Sequence, residues 1–279
     1  MSERKKFYIT TPIYYPSGKL QLGNTYTTVL ADAIARFHRA LNEDVFFLTG
    51  TDEHGQKIQQ KAQAANKNEM QYLNEMVSGI KKLWKLMHIS YNKFIRTTDK
   101  SHEKAVQKIF KKFMDEGNIY KGKYNGWYSV SDEEYFTESQ LAEVYRDKNG
   151  KVIGGKAPSG HDVQRVQEEA YFFKMSKYAD WLIDYYNKHP QFIEPASRKK
   201  EMITNFIKPG LEDLAVTRTR VNWGIPVLGD EKHVIYVWID ALSNYLTALG
   251  YNPDKGDFSH QPELFRKFWP ANLQLVGKE

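Results

Sequence analysis

Two short stretches carry residue types suited to chemistry on a phosphate and on an amine. The first is Gln21-Leu22-Gly23-Asn24, which follows an aromatic, β-branched strand and a Pro16-Ser17-Gly18 turn and opens a helix. A helix start offers unpaired N–H groups to an anion, and a glycine there lets a nucleotide approach the backbone closely. Plain packing also puts a glycine at a helix start, so this stretch decides nothing alone. The second is Asp52, just past the expected carboxyl end of a strand from Val45 to Thr49. Open α/β sheets bind ligands at that edge, and a carboxylate there can pair with a substrate amine. Capping of the next helix is the competing role. Lys208, Arg218 and Arg220 suit a phosphate backbone or, more simply, solvent.

The rest of the composition bounds the function. The 279 residues include no cysteine, which excludes disulfides and thiolate metal sites. Lys and Arg number 40 against 34 acidic residues, a net charge of +6 that suits a polyanionic partner without requiring one. No apolar run is long enough to span a bilayer, and the MSERKK start lacks a signal-peptide core, so a soluble, cytoplasmic protein with no membrane partner is expected.

The elements that must hold these residues follow from periodicity. Phe7 to Tyr15 reads as a buried strand, and Tyr26, Val29, Leu30, Ile34 and Phe37 recur at helical spacing before the second strand. Strand, turn, helix, strand is the opening of a parallel α/β sheet. Met70 through Met87 carries a helical stripe, and a second helix begins near Ser101 and ends at Gly117. From Ile119 onward, short aromatic pieces (Tyr120, Tyr124, Trp127, Tyr128, Tyr135, Phe136) alternate with turns such as Asn149-Gly150, a hairpin-rich texture. His233 to Ile239 reads as a near-continuous apolar strand of a doubly covered sheet, Leu242 to Leu249 as a helix, and Asn272 to Val276 as one more strand. The expected partition is residues 1–116 for the first half of a Rossmann-type domain, 117–228 for an inserted α+β domain, and 229–279 for the start of the second half. A sheet that stops on a strand without a covering helix reads as incomplete at its C-terminus.

With those motifs in place, the chain resembles the class I aminoacyl-tRNA synthetases, and within them the methionyl enzymes. The resemblance rests on Thr10-Thr11-Pro12-Ile13-Tyr14-Tyr15-Pro16, the Gln21–Asn24 group at the place of the His-Ile-Gly-His signature, and Thr49-Gly50-Thr51-Asp52-Glu53-His54-Gly55. Gly126-Trp127-Tyr128, Asn205 to Gly210 and Tyr236-Val237-Trp238-Ile239-Asp240-Ala241 follow in the family's order, across nearly the whole chain. It implies activation of L-methionine by ATP, as its Mg2+ complex, to methionyl-adenylate, and transfer to the acceptor end of tRNA(Met). It further implies nucleotide contacts at Thr10, Gln21, Gly23 and Asn24, with Gln21 and Asn24 acting in catalysis. Asp52 would take the methionine ammonium, and Ile13, Tyr15, Trp238 and Tyr245 would wall the thioether, which aromatic rings suit.

Three departures from the family pattern qualify that expectation. Gln21 replaces a histidine and cannot become cationic as negative charge builds, which predicts impaired activation. Lys174-Met175-Ser176-Lys177 spells the start of the second family signature but lies in the insert and runs into a helix, which marks it as a decoy. The family's true lysine loop and a Phe-His pair of the pocket would lie past Glu279. Where many relatives hold a zinc knuckle, this chain has Ser129, Asp132 and Ala157-Pro158-Ser159-Gly160-His161, so no zinc is expected. A non-catalytic relative that binds methionine, nucleotide or tRNA is the alternative that Gln21 favours, and a synthetase for another bulky apolar amino acid is a third.

Overall fold

A computed structural model describes residues 4–277, apart from 133 and 137. The first three residues of the MSERKK start and the Glu279 terminus lie outside the described residues, as do the side chains of Tyr124 and Tyr135. Four strands make a parallel sheet: β1 (Lys6–Tyr14), β2 (Asp44–Thr51), β3 (Lys93–Arg96) and β13 (Leu273–Gln274), in the order β13-β1-β2-β3. Alternation along the strands separates two apolar faces. Tyr8, Phe46 and Leu48 point to a cluster with Ile95, Leu249, Phe265 and Phe268, while Ile9 and Phe47 meet Ala31 and Ala35. Both faces are covered, as a parallel sheet requires.

The alanines belong to α1 (Leu22–Ala40), and they explain a departure from the periodicity. Its buried residues are Thr28, Ala31, Asp32 and Ala35, small or polar groups that let the helix lie close on the sheet. Asp32 accepts from Ser90 N–H at 2.7 Å and from Arg36 Nε at 2.7 Å, which ties the helix to the loop before β3. Of the bulky stripe, Ile34 packs on the cluster of Ile9 and Phe47, while Tyr26 at 71% exposed, Phe37 at 60%, Val29 and Leu30 face outward.

Two further helices follow the sequence expectation. In α3 (Glu69–Leu86), Leu73, Val77, Ile80 and Trp84 are buried, and Trp84 packs with Tyr14. α4 (Lys100–Asp115) is followed by Gly117 at φ +67°, a left-handed position that favours glycine. The short α2 (Gln56–Ala64) was not anticipated.

The hairpin-rich region is an antiparallel sheet. Its strands are β4 (Ile119–Ser129), β5 (Glu134–Phe136), β6 (Glu143–Arg146), β7 (Val152–Lys156) and β8 (Asp162–Phe173), in the order β5-β4-β8-β7-β6. Two helices, α5 (Ala179–Lys188) and α6 (Ala196–Glu201), come next, and β9 (Leu214–Ala215) pairs with β8. A three-stranded antiparallel sheet then joins β10 (Thr217–Arg218), β12 (Asp230–Ile235) and β11 (Ile225–Val227). It packs on Val106 and Phe110 of α4.

His233 to Ile239 is therefore not one strand of the parallel sheet. Its first part lies in β12, antiparallel to both neighbours, and its second part turns into α7 (Val237–Asp240). A continuous apolar run fits a buried helical turn as well as a strand. The expected helix from Leu242 is likewise split into a 3-10 turn, Ala241–Ser243, and α8 (Asn244–Thr247). α9 (Glu263–Phe268) completes the cover of the sheet.

Candidate active site

The exit of β2 is anchored residue by residue. Glu53 is fully buried, and its carboxylate accepts from Thr51 Oγ1 at 2.5 Å, Arg96 Nε at 2.7 Å and Thr98 Oγ1 at 2.5 Å. Its backbone N–H donates to Thr97 Oγ1, and its carbonyl accepts from Trp223 Nε1 at 2.7 Å. Asp52 and His54, on either side of Glu53, both line one small cavity. The Asp52 N–H also donates to the Tyr14 carbonyl at 3.0 Å, which joins the ends of β1 and β2. Gly50 is required for this packing: a Cβ there would stand 2.1 Å from the Ile95 carbonyl oxygen.

Asp52 lines a small cavity with Val237 and Asp240 of α7, and its carboxylate is within electrostatic reach of Tyr245. Burial pushes the Tyr245 phenol up, a hydrogen bond with Asn244 opposes this, and the Asp52 carboxylate adds to the rise. Tyr245 and Ile13 pack on the same core cluster, and Tyr8 Oη donates to the Tyr245 carbonyl at 2.9 Å. Two of the expected wall residues, Ile13 and Tyr245, thus meet on one cluster. Tyr15 follows Tyr14 at the β1 exit and is half-buried, and Trp238 in α7 is 38% exposed. The cavity beside Asp52 has a volume of about 20 Å³, room for one water.

On the neighbouring strand, Tyr14 Oη hydrogen-bonds Thr28 Oγ1 at 2.6 Å and donates to the Asn24 carbonyl at 3.1 Å, which fixes the start of α1. Asn24 Oδ1 accepts from the Gln21 N–H at 2.9 Å, as part of a capping box. Gln21 and Gly23 are exposed, a Cβ at Gly23 would meet nothing within 4 Å, and no acidic residue occupies the first turn. The first turn thus carries no negative charge, although the Gln21 and Asn24 side chains form a capping box across it. Thr10 is different. It is wholly enclosed between β2 and β13, and its Oγ1 has no hydrogen-bond partner among the described residues.

Arg218 corrects the reading of it as a surface phosphate contact. It is 4% exposed and lies flat on Tyr236, 3.4 Å from the ring centroid, beside the same small cavity as Asp52. Burial pulls its guanidinium below the usual range, against the attraction of Tyr236, Tyr128 and Glu168. Lys208 and Arg220 are exposed as expected.

Asp240, quoted only as part of a motif, is 1% exposed and accepts from His54 Nδ1 at 2.7 Å and His102 Nε2 at 2.9 Å. An acidic residue inside an apolar run is a signal for such partners, because a buried carboxylate needs them.

Two remaining motifs are placed by the fold. Lys174 to Lys177 sits at the base of β4 and β8, where Lys177 Nζ donates to Asn118 Oδ1 at 3.2 Å and Ser176 Oγ to Asp213 Oδ1 at 2.6 Å. It is a structural turn, in keeping with a decoy. At the tip of the antiparallel sheet, Asp132 Oδ2 accepts from Ser129 Oγ and Ser159 Oγ, each at 2.6 Å, and Oδ1 pairs with His161 Nδ1 at 2.7 Å. Two hydroxyls, one carboxylate and one imidazole already bonded to it do not fit a structural zinc site.

Residues 7–279 match the family model described as tRNA synthetases class I (M). The methionine–tRNA ligase of Enterococcus faecalis is 63% identical over 279 residues, all of this chain and 41% of that protein. The ligase of Lactiplantibacillus plantarum is 64% identical over 280 residues, covering 100% of this chain and 40% of its own length. The solved structure of Mycobacterium tuberculosis methionyl-tRNA synthetase in complex with methionyl-adenylate superposes with a TM-score of 0.88 at 40% identity, over 98% of this chain and 51% of that one. The chain spans about two-fifths of the length of the curated relatives it matches. It belongs to the class I aminoacyl-tRNA synthetases of the methionyl type.

Proposed function

We propose that this chain carries the amino-acid-activating part of a methionine–tRNA ligase of the cytoplasm. In that reaction the L-methionine carboxylate attacks the α-phosphorus of magnesium-bound ATP, pyrophosphate leaves, and methionyl-adenylate forms. The methionyl group then passes to the acceptor end of tRNA(Met). Positioning and charge stabilisation supply most of the catalysis in such an in-line displacement. Asp52 pairs with the ammonium, Ile13, Tyr15, Trp238 and Tyr245 enclose the thioether, and the start of α1 receives the phosphates through the Gly23 backbone and the amides of Gln21 and Asn24. Thr10 has no part in this assignment, since an enclosed strand residue cannot touch a nucleotide. A zinc-free insert is supported by the hydrogen bonds around Asp132.

The observation that carries the reading is the placement of Asp52: its strand end is fixed by Glu53, it lines a cavity with Val237 and Asp240 of the wall segment, and its amide is tied to the strand that leads into α1. Methionine-dependent exchange of labelled pyrophosphate into ATP tests it. The expected signal is weak and rises roughly tenfold or more with Gln21→His, because a single anion-directed donor contributes about 3–4 kcal/mol of barrier and a cationic one strengthens it. The exposed, neutral Gln21 favours a second reading, a binder without turnover. Absence of exchange in both proteins, with methionine still bound, would establish that one instead.

A further inference from the structure

The segment that carries the proposed thioether wall runs from Val237 to Ala248 through α7, a 3-10 turn and α8, and its end packs on the core of the parallel sheet. A chain of side-chain hydrogen bonds ties it to the exit of β2 as well. Thr247 Oγ1 lies 2.7 Å from His102 Nδ1, His102 Nε2 lies 2.9 Å from Asp240 Oδ1, and Asp240 Oδ2 lies 2.7 Å from His54 Nδ1. An ionised carboxylate only accepts, so both imidazoles donate to it. Thr247, His102 and Asp240 are all buried, and His54 is nearly so.

The ends of this chain are informative. Thr247 and Asp240 bracket Tyr245 within the wall segment, and Trp238 is two residues from Asp240. His54 is two residues from Asp52 and lines the same small cavity, and His102 comes from α4, the helix on which the three-stranded sheet packs. One buried carboxylate therefore joins the ammonium-binding strand end to the wall segment. A longer or shorter bridge would change the gap into which a side chain must fit.

We propose that Asp240 is a positioning residue of the amino-acid site: held between His54 and His102, it sets the spacing between Asp52 and the segment bearing Trp238 and Tyr245. The inference rests on the methionine reading of that site. It differs from a simple stabilising role, because the bridge acts on ligand affinity in the folded protein and couples to the wall.

Ligand-observed NMR titration of the full chain with L-methionine, in the millimolar range, measures this. Asp240→Asn keeps the shape but replaces one acceptor by a donor, and the expected weakening of methionine binding is on the order of tenfold to a hundredfold. Thr247→Val removes the hydroxyl at the far end of the bridge without touching the carboxylate, and serves if the first variant does not fold. Its expected loss is roughly threefold. Tyr245→Phe should weaken binding in the unsubstituted chain and have a smaller effect in the Asp240→Asn background, since the ring is then already displaced. Variants that melt at lower temperature yet bind methionine as tightly as the parent would overturn the inference while leaving the methionine reading intact. Failure of the parent itself to bind methionine would overturn that reading, and the inference with it.

Discussion

Asp52, Glu53 and His54 are three consecutive ionisable residues with three separate fates. Glu53 is saturated with donors and serves as an anchor, Asp52 lines the small cavity, and His54 donates to Asp240. The distinction sets what each substitution should do. Asp52→Asn should leave the circular dichroism and melting temperature nearly unchanged while methionine affinity, read by calorimetry, falls on the order of a hundredfold through loss of the charge pair. The Asp240 pair should appear in pH dependence. Burial alone would raise the Asp240 carboxyl, but the His54 charge and the hydrogen bonds from His102 and His54 outweigh it and hold it below the usual range. Burial opposes the His54 cation, yet Asp240, Asp52 and Glu103 together raise it. A lowered carboxyl contributes stability above its unfolded value of about 4, lost as pH falls through the folded value. A raised imidazole contributes below its unfolded value of about 6.5, lost as pH rises through the folded value. Their joint contribution is fullest between those limits. Thermal melts across pH should show that window, and Asp240→Asn should flatten it. Asp52 was legible in the sequence because a strand end and a motif both marked it. Arg218 was not, since nothing local distinguishes it from a surface charge, and Asp240 showed only that it needs partners, because His54 and His102 lie far along the chain.

At the scale of elements, pattern and burial agree where large side chains face the core and part where small ones do. The stripe of α3 from Leu73 to Trp84 is buried as read. On α1 the buried face is alanine, threonine and aspartate, so a reading based on bulk selected mainly the opposite side. The run from His233 misled for a related reason: continuous hydrophobicity reports enclosure, not conformation, and the bend at Tyr236 comes from tertiary pairing with Val216 rather than from a breaker residue. Gly50 shows how tightly neighbouring elements are set. Gly50→Ala would drive a methyl into the Ile95 carbonyl and should cost at least about 2–3 kcal/mol by chemical denaturation. Because Asp52 is only two residues away, the same substitution should weaken methionine binding.

For the whole molecule, the family and the α/β class were readable from motifs in order, while the antiparallel sheet formed by β10, β11 and β12 was not, because its two- to six-residue strands carry little periodic signal. Its position against α4 gives the site a second supporting layer beyond the parallel sheet. The outward ridge of α1 concerns the behaviour of the chain in solution. Leu22, Tyr26, Val29, Leu30 and Phe37 are all more than two-fifths exposed along one helix, which makes that surface adhesive. Fluorescent apolar dyes should bind it, and sedimentation velocity should show self-association that rises with protein concentration and with ammonium sulfate. Tyr26→Lys combined with Phe37→Glu should abolish both effects at a change in folding stability within about 0.5 kcal/mol per site.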